Sequence, residues 1–154
     1  MKTLIEKLTN TDESSMGLVI RVTLGLVMFP HGAQKLFGWY GGFGFSKTME
    51  FMTGNGLPWI FALLVILGES LGALALIFGF FGRFMSFGIF LIMLGAIFMV
   101  HLQHGFFMNW FGNQAGEGYE YHLLMIGLAL GTMIGGSGRL SADRLINSWV
   151  KSPA

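Results

Sequence analysis

The chain has 154 residues, 53% of them hydrophobic and 11% charged, with a formal net charge of +1 at pH 7 and a mean hydropathy of +0.65. So apolar and sparsely charged a chain reads as an integral membrane protein, and the absence of any basic patch excludes a nucleic-acid partner. It contains no cysteine, which excludes thiolate nucleophiles, disulfide exchange, iron–sulfur ligation and covalently attached haem.

In chain order, Met1, Leu4, Ile5 and Leu8 recur at helical spacing beside Lys2, Glu6 and Lys7, which predicts a short amphipathic helix on the cytoplasmic membrane face. Residues 10–15 are rich in helix-capping types, with Asp12 and Glu13 suited to the positive end of the helix that follows. Four apolar stretches then have the character of transmembrane helices: residues 17–37, 59–81, 84–102 and 121–136. The first is read as a retained helix, since no small-residue cleavage site follows it. Between the first two, a glycine- and aromatic-rich loop precedes Ser46, which is predicted to cap a short helix containing Met49, Phe51 and Met52. A tight turn at Phe81, Gly82 and Arg83 makes the second and third helices antiparallel neighbours. After a second glycine- and aromatic-rich loop and the fourth stretch, Leu140, Leu145, Ile146, Trp149 and Val150 alternate with Asp143 and Arg144 as another interfacial helix.

Lys2, Lys7, Arg83, Arg139, Arg144 and Lys151 fall on one side of this arrangement, and Lys47 with the helix-end Lys35 on the other. The positive-inside rule puts both termini in the cytoplasm. The expected fold is therefore an all-α, multi-pass four-helix bundle in the lipid bilayer, one domain over residues 1–154, N-in and C-in, with interfacial helices at both ends. Gly68 and Gly72 in the second stretch, and Gly127, Gly131 and Gly135 in the fourth, have the spacing of close helix contacts.

With this topology the ionisable groups collect in the outer half. His31, Gln34 and Lys35 share one face of the first helix by their i, i+3, i+4 spacing, and Glu69 sits near the middle of an otherwise uncharged stretch. His101 ends the third helix with His104 one turn on, and Glu120 and His122 begin the fourth. An intramembrane carboxylate costs a few kcal/mol even on the gentler insertion scales, about 2.5–3.5, so Glu69 marks a functional site and needs a partner across the bundle. Arg21 shares the inward stripe of Gly25, Gly32 and Lys35 and is expected to be structural, pairing with the loop or the C-terminal tail, where Asp143 is available.

These residues carry a family resemblance. Arg21 with Gly25, HGAQKLFG at 31–38, NGLP at 55–58, GESLGALALIFG at 68–79, Arg83, and GGSGRLSADR at 135–144 resemble, in order, the DoxX family of small four-helix membrane proteins. The resemblance implies a plasma-membrane protein and an oxidoreductase component, similar to the membrane subunit of thiosulfate:quinone oxidoreductase. The missing cysteine means that any sulfur chemistry in such a complex does not pass through a thiol of this chain.

Three functions follow. In the leading one a quinone or quinol reacts near the outer face, with Glu69, His31 and Lys35 as catalytic groups and His101, Gln34, His122 and Glu120 binding the substrate or passing protons. Phe29, Phe43, Phe45, Phe106 and Trp110 are expected to form its slot. No electron-transfer cofactor motif accompanies these residues, so a redox partner protein or a second substrate supplies or takes the electrons. In the second, His31 with His101 or His122 ligates haem b, or His101, His104 and His122 hold a transition metal. The third is a non-catalytic anchor or accessory subunit. Self-association is compatible with all three.

Overall fold

The computed structural model describes residues 2–151. Met1, where the predicted amphipathic stretch begins, lies outside the described residues, as do the side chains of Lys2 and Lys151. Among the described residues every regular element is helical. The helices are α1 (Lys2–Thr9), α2 (Ser15–Phe37), α3 (Gly44–Gly54), α4 (Trp59–Phe78), α5 (Gly82–His104), α6 (Glu120–Gly135) and α7 (Ala142–Lys151). Of these, α2, α4 and α5 are long and apolar enough to cross a membrane. Helix α6 is apolar but has 16 residues, a rise of about 24 Å at 1.5 Å per residue.

Local chemistry sets the boundaries. Ser14 caps α2, its hydroxyl accepting from the Met16 and Gly17 N–H groups at 3.1 and 3.4 Å, while Asp12 accepts from Ser14 N at 2.9 Å. Gly38, at φ 75°, ends the helix. Ser46 does not cap α3: the helix starts at Gly44 and no side chain caps it, because the turn through Gly41 and Gly44, both at positive φ, starts the helix two residues earlier. The turn between α4 and α5 also lies earlier than expected, with α4 ending at Phe78 and α5 beginning at Gly82. Its cause is distant in sequence. Phe81 is held at φ 48°, a conformation that costs a side-chain-bearing residue about 1–2 kcal/mol, while the Asp143 carboxylate accepts from Phe81 N at 2.7 Å and Gly82 N at 2.9 Å.

The core sits where the four long helices meet. Leu24 and Met28 of α2, Ala73 and Leu76 of α4, Ile89 and Met93 of α5, and Met125 and Ala129 of α6 form one buried cluster. A second cluster seats Met49 of α3 on Ala62 and Ile66 of α4, so α3 covers one end of the bundle beside α4.

At the opposite end lies a buried knot. Arg21 is 1% exposed and donates to the carbonyls of Ser137 (2.6 Å), Leu76 (2.9 Å), Ile77 (2.5 Å), Leu140 (2.6 Å) and Arg139 (3.4 Å). Arg21 thus pairs with the C-terminal segment, as expected of it, but through the carbonyl oxygens of Ser137, Arg139 and Leu140 and not through the Asp143 carboxylate. The Asp143 carboxylate is occupied by the α4–α5 turn and by the Ser137 hydroxyl, at 2.6 Å. A guanidinium has five donors in a fixed fork, and here they tie the ends of α4 and α6 to α2.

The glycine spacing marks close contact only in part: a Cβ on Gly68 would lie 2.7 Å from Ile92 Cδ1, and one on Gly131 3.4 Å from Ile20. A Cβ on Gly127 or Gly135 would meet nothing within 4 Å. The tight approaches between helix backbones belong to Gly25, where a Cβ would lie 2.7 Å from the Ala73 carbonyl oxygen, and Gly32, where it would overlap the Glu69 backbone. Spacing shows that a small residue is tolerated; only the rotation of each helix decides which ones face a neighbour. Gly32→Ala is expected to force α2 and α4 apart and to lower the melting temperature in detergent by the equivalent of about 1–3 kcal/mol, the usual cost of overpacking. Gly127→Ala, made in open space, is expected to leave it unchanged or raise it through better helix propensity. Equal melting curves for both would show that the α2–α4 contact is loose.

Candidate functional site

Glu69 owes its position to a wide turn. Residues Gly68–Gly72 form a π-helical turn inside α4, a local widening that often accompanies functional sites in helices. Gly32 fits against the backbone of this turn, and α2 thereby brings Lys35 alongside. Lys35 Nζ donates to Glu69 Oε2 at 2.5 Å, with the Lys35 side chain 25% exposed and that of Glu69 6%. A second π-helical turn, Ile97–His101, ends the regular part of α5 and carries His101.

The ion pair borders a cavity of 1270 Å³ whose lining also includes His31, His101, Tyr121 and His122. The titratable rings follow one another: His31 to Tyr121 at 6.0 Å between centroids, Tyr121 to His122 at 5.3 Å, and His122 to His101 at 4.0 Å. His101 Nδ1 bonds the Glu117 carbonyl oxygen at 2.8 Å; since a carbonyl only accepts, Nδ1 is the donor in this contact. His122 is 6% exposed, and its Nδ1 is buried with no hydrogen-bond partner. A buried unpaired ring nitrogen is costly to leave unmade. The Tyr121 hydroxyl has the Met28 sulfur at 3.8 Å, a weak acceptor.

Lys35, Glu69, His31, His101 and His122 thus stand around one cavity, whereas the other expected site residues do not line it. Gln34 donates to the Tyr40 carbonyl at 3.3 Å and steadies the loop between α2 and α3. Glu120 accepts from Met108 N at 3.0 Å and Trp110 Nε1 at 3.1 Å, fastening the loop between α5 and α6. His104 lies against Gly116, with Gln103 Nε2 at 3.5 Å. Among the described residues no three His, Asp or Glu groups are close enough together to hold a metal ion, so His101, His104 and His122 do not form one cluster.

The expected aromatic slot is also different. None of Phe29, Phe43, Phe45, Phe106 and Trp110 lines the cavity; Phe29 packs on the central core, and the other four are exposed. The walls come instead from the facing sides of α4 and α5, among them Leu64, Gly68, Leu91 and Gly95. Tyr121 was not anticipated as a site residue. Its one sequence signal is its place between Glu120 and His122, a tyrosine at the mouth of an apolar helix, which reads equally as an interfacial anchor.

A family model described as DoxX matches residues 16–102. The matched stretch includes Lys35, Glu69 and His101, and Tyr121 and His122 lie beyond it. A curated protein of Bacillus subtilis (strain 168), "Putative oxidoreductase CatD", is 29% identical over 129 residues, which cover 84% of this chain and 85% of that protein. No solved structure matches the chain.

Proposed function

The chain belongs to the DoxX family, and from that premise we propose that it is the membrane component of an oxidoreductase that reduces or oxidises a quinone in the outer half of the bilayer. The observation that carries the reading is the joining of an apolar, laterally open cavity to a buried ion pair. The cavity wall includes Leu64, Leu71 and Leu91, each half or more exposed, and in a bilayer such side chains meet lipid. The name of the Bacillus subtilis relative, an oxidoreductase, agrees with a redox role.

The topology of this reading is four spans, with α6 as the shortest, in a single domain of the plasma membrane. Both termini are cytoplasmic, and α1 and α7 lie in the interface. It is supported by the collection of Arg83, Arg139 and Arg144 at the end of the bundle that holds the Arg21 knot, away from Lys35 and Glu69. The outward apolar side chains Leu145 and Trp149 of α7, 62% and 77% exposed, suit the headgroup region.

Reduction of a quinone takes two electrons and two protons. An ammonium has three N–H donors, and the Glu69 pair occupies one, so Lys35 retains donors for a quinone carbonyl oxygen. His31 is a second donor at the same end. Glu69 exchanges protons with the bound ring, and the sequence Tyr121, His122, His101 leads toward the second outer loop as a relay. The electrons come from, or go to, a partner subunit or a second substrate.

Protein purified in mild detergent is expected to show the ultraviolet change of quinone reduction on adding dithionite, in excess of that seen with Glu69→Gln prepared identically. No difference between the two proteins would remove the quinone assignment. A sharp visible band on reduction would replace it with haem ligated by the histidines.

A further inference from the structure

The cavity lining continues on both sides of Glu69 along α4, and the two stretches are termed its outer and inward arms. Its outer arm carries the polar groups Lys35, His31, His101, Tyr121 and His122. Its inward arm is lined by Leu71 and Gly72 of α4 and by Phe84, Phe87, Gly88 and Leu91 of α5, and none of these six has a polar side chain. The α5 residues recur at i, i+3, i+4 and i+7, one face of a helix, and from Phe84 to Leu91 the helix rises about 10 Å.

This arm is a gap left by the packing. Ala73 and Ile89, next in sequence to Gly72 and Gly88, are both fully buried in the central cluster, so the helices do meet on the adjoining face. At Gly88 itself a Cβ would meet nothing within 4 Å, and at Gly72 it would make only ordinary contact, 3.8 Å from the Met85 sulfur. Leu71, Phe87 and Leu91, 55%, 45% and 50% exposed, form a rim that faces hydrocarbon in a bilayer. The α3 cluster at Met49, Ala62 and Ile66 lies at the outer end, which leaves the lipid side as the way in.

Resting on the quinone reading, we infer that the inward arm holds the hydrocarbon tail of the substrate while its ring sits at the Lys35–Glu69 pair. The substrate class is then a lipid-dissolved quinone bearing a long chain, taken sideways from the membrane between α4 and α5. Continuity of the apolar arm with the polar one selects this occupant: a single molecule with a polar ring and an apolar chain satisfies both. About 10 Å accommodates the first part of a tail, and the remainder of a longer chain emerges at the rim into lipid.

The test fills the arm without touching the polar groups. Binding of 2,3-dimethoxy-5-methyl-1,4-benzoquinone, bare and with a decyl tail, is measured on the full chain in lipid nanodiscs for wild type, Gly88→Leu and Gly127→Leu. Gly127 is a control with equally open surroundings but outside the cavity lining. Gly88→Leu is expected to weaken the decyl compound at least tenfold and to leave the bare ring within twofold, with melting unchanged; Gly127→Leu is expected to change neither. Unchanged binding of the decyl compound to Gly88→Leu overturns the tail assignment and leaves the quinone reading standing. Equal loss of both compounds also overturns it. Wild type that binds neither compound rejects the quinone reading itself. A particle that falls from two copies to one in Gly88→Leu assigns the arm to a second copy of the chain, against the inference.

Discussion

Glu69→Leu is expected to be strongly destabilising alone and much less so when combined with Lys35→Met. With Glu69 only 6% exposed and Lys35 25% exposed at its side chain, removing the carboxylate leaves an ammonium at the cavity wall with its one described acceptor gone. Breaking a buried pair by removing one partner costs about 3–5 kcal/mol, whereas replacing both partners with apolar groups is often neutral. Because Lys35 keeps partial access to solvent, the lower end of that range is expected, and its long stem permits it to turn outward. Thermal unfolding in detergent of both single variants and the double variant completes the cycle. Quinone turnover separates stability from chemistry: the double variant recovers most of the melting temperature and none of the turnover. Recovered turnover would make the ion pair a structural element only. A double variant as unstable as Glu69→Leu would mean that the cavity, and not the unpaired charge, is the source of the instability.

Arg21→Lys is expected to be nearly as harmful as Arg21→Met, although it keeps the charge. The guanidinium reaches five carbonyl oxygens on two separate chain segments, and a lysine ammonium is a compact point charge with three donors. At least two buried carbonyls would lose their partner, each at about 1–3 kcal/mol, and in hydrocarbon no water replaces it. Total loss of this order, against a stability of about 5–15 kcal/mol for an ordinary domain, predicts little folded protein in the membrane fraction for either variant. Gel filtration after detergent extraction reads the outcome. Arg21→Lys protein that elutes and melts as wild type would show that charge, and not the fork of donors, is what the knot requires.

Much of the fold was legible because it rests on local properties. Apolar runs of about twenty residues specify α2, α4 and α5 by length alone, and the capping types over residues 10–15 bracket where α2 starts. The boundaries that were misjudged, at Ser46 and at the α4–α5 turn, depend on partners far away or on glycine backbone angles. Asp143, sixty-two residues from Phe81, decides where α4 stops, and no window around Phe81 contains that information. The glycine reading held where a helix face was read and failed where spacing alone was used: Gly25 and Gly32 on the inward stripe of Arg21 face another backbone, and Gly68 packs on Ile92, whereas Gly127 and Gly135 face open space.

The sequence by itself determined that the chain is an apolar helical protein, that its acid and histidines lie toward one end, and that Glu69 requires a partner, because depth along a helix follows from rise per residue and chain direction. The tertiary structure decided which partner it has. Lys35 meets Glu69 because Gly32 lets α2 approach a widened turn of α4; Gln34, one position away, and Glu120 are turned to the outer loops. The cavity between α4 and α5 likewise belongs to the tertiary structure alone. It is a space between two helices, produced by their relative rotation and separation, and a one-dimensional pattern of residues does not encode a distance between surfaces.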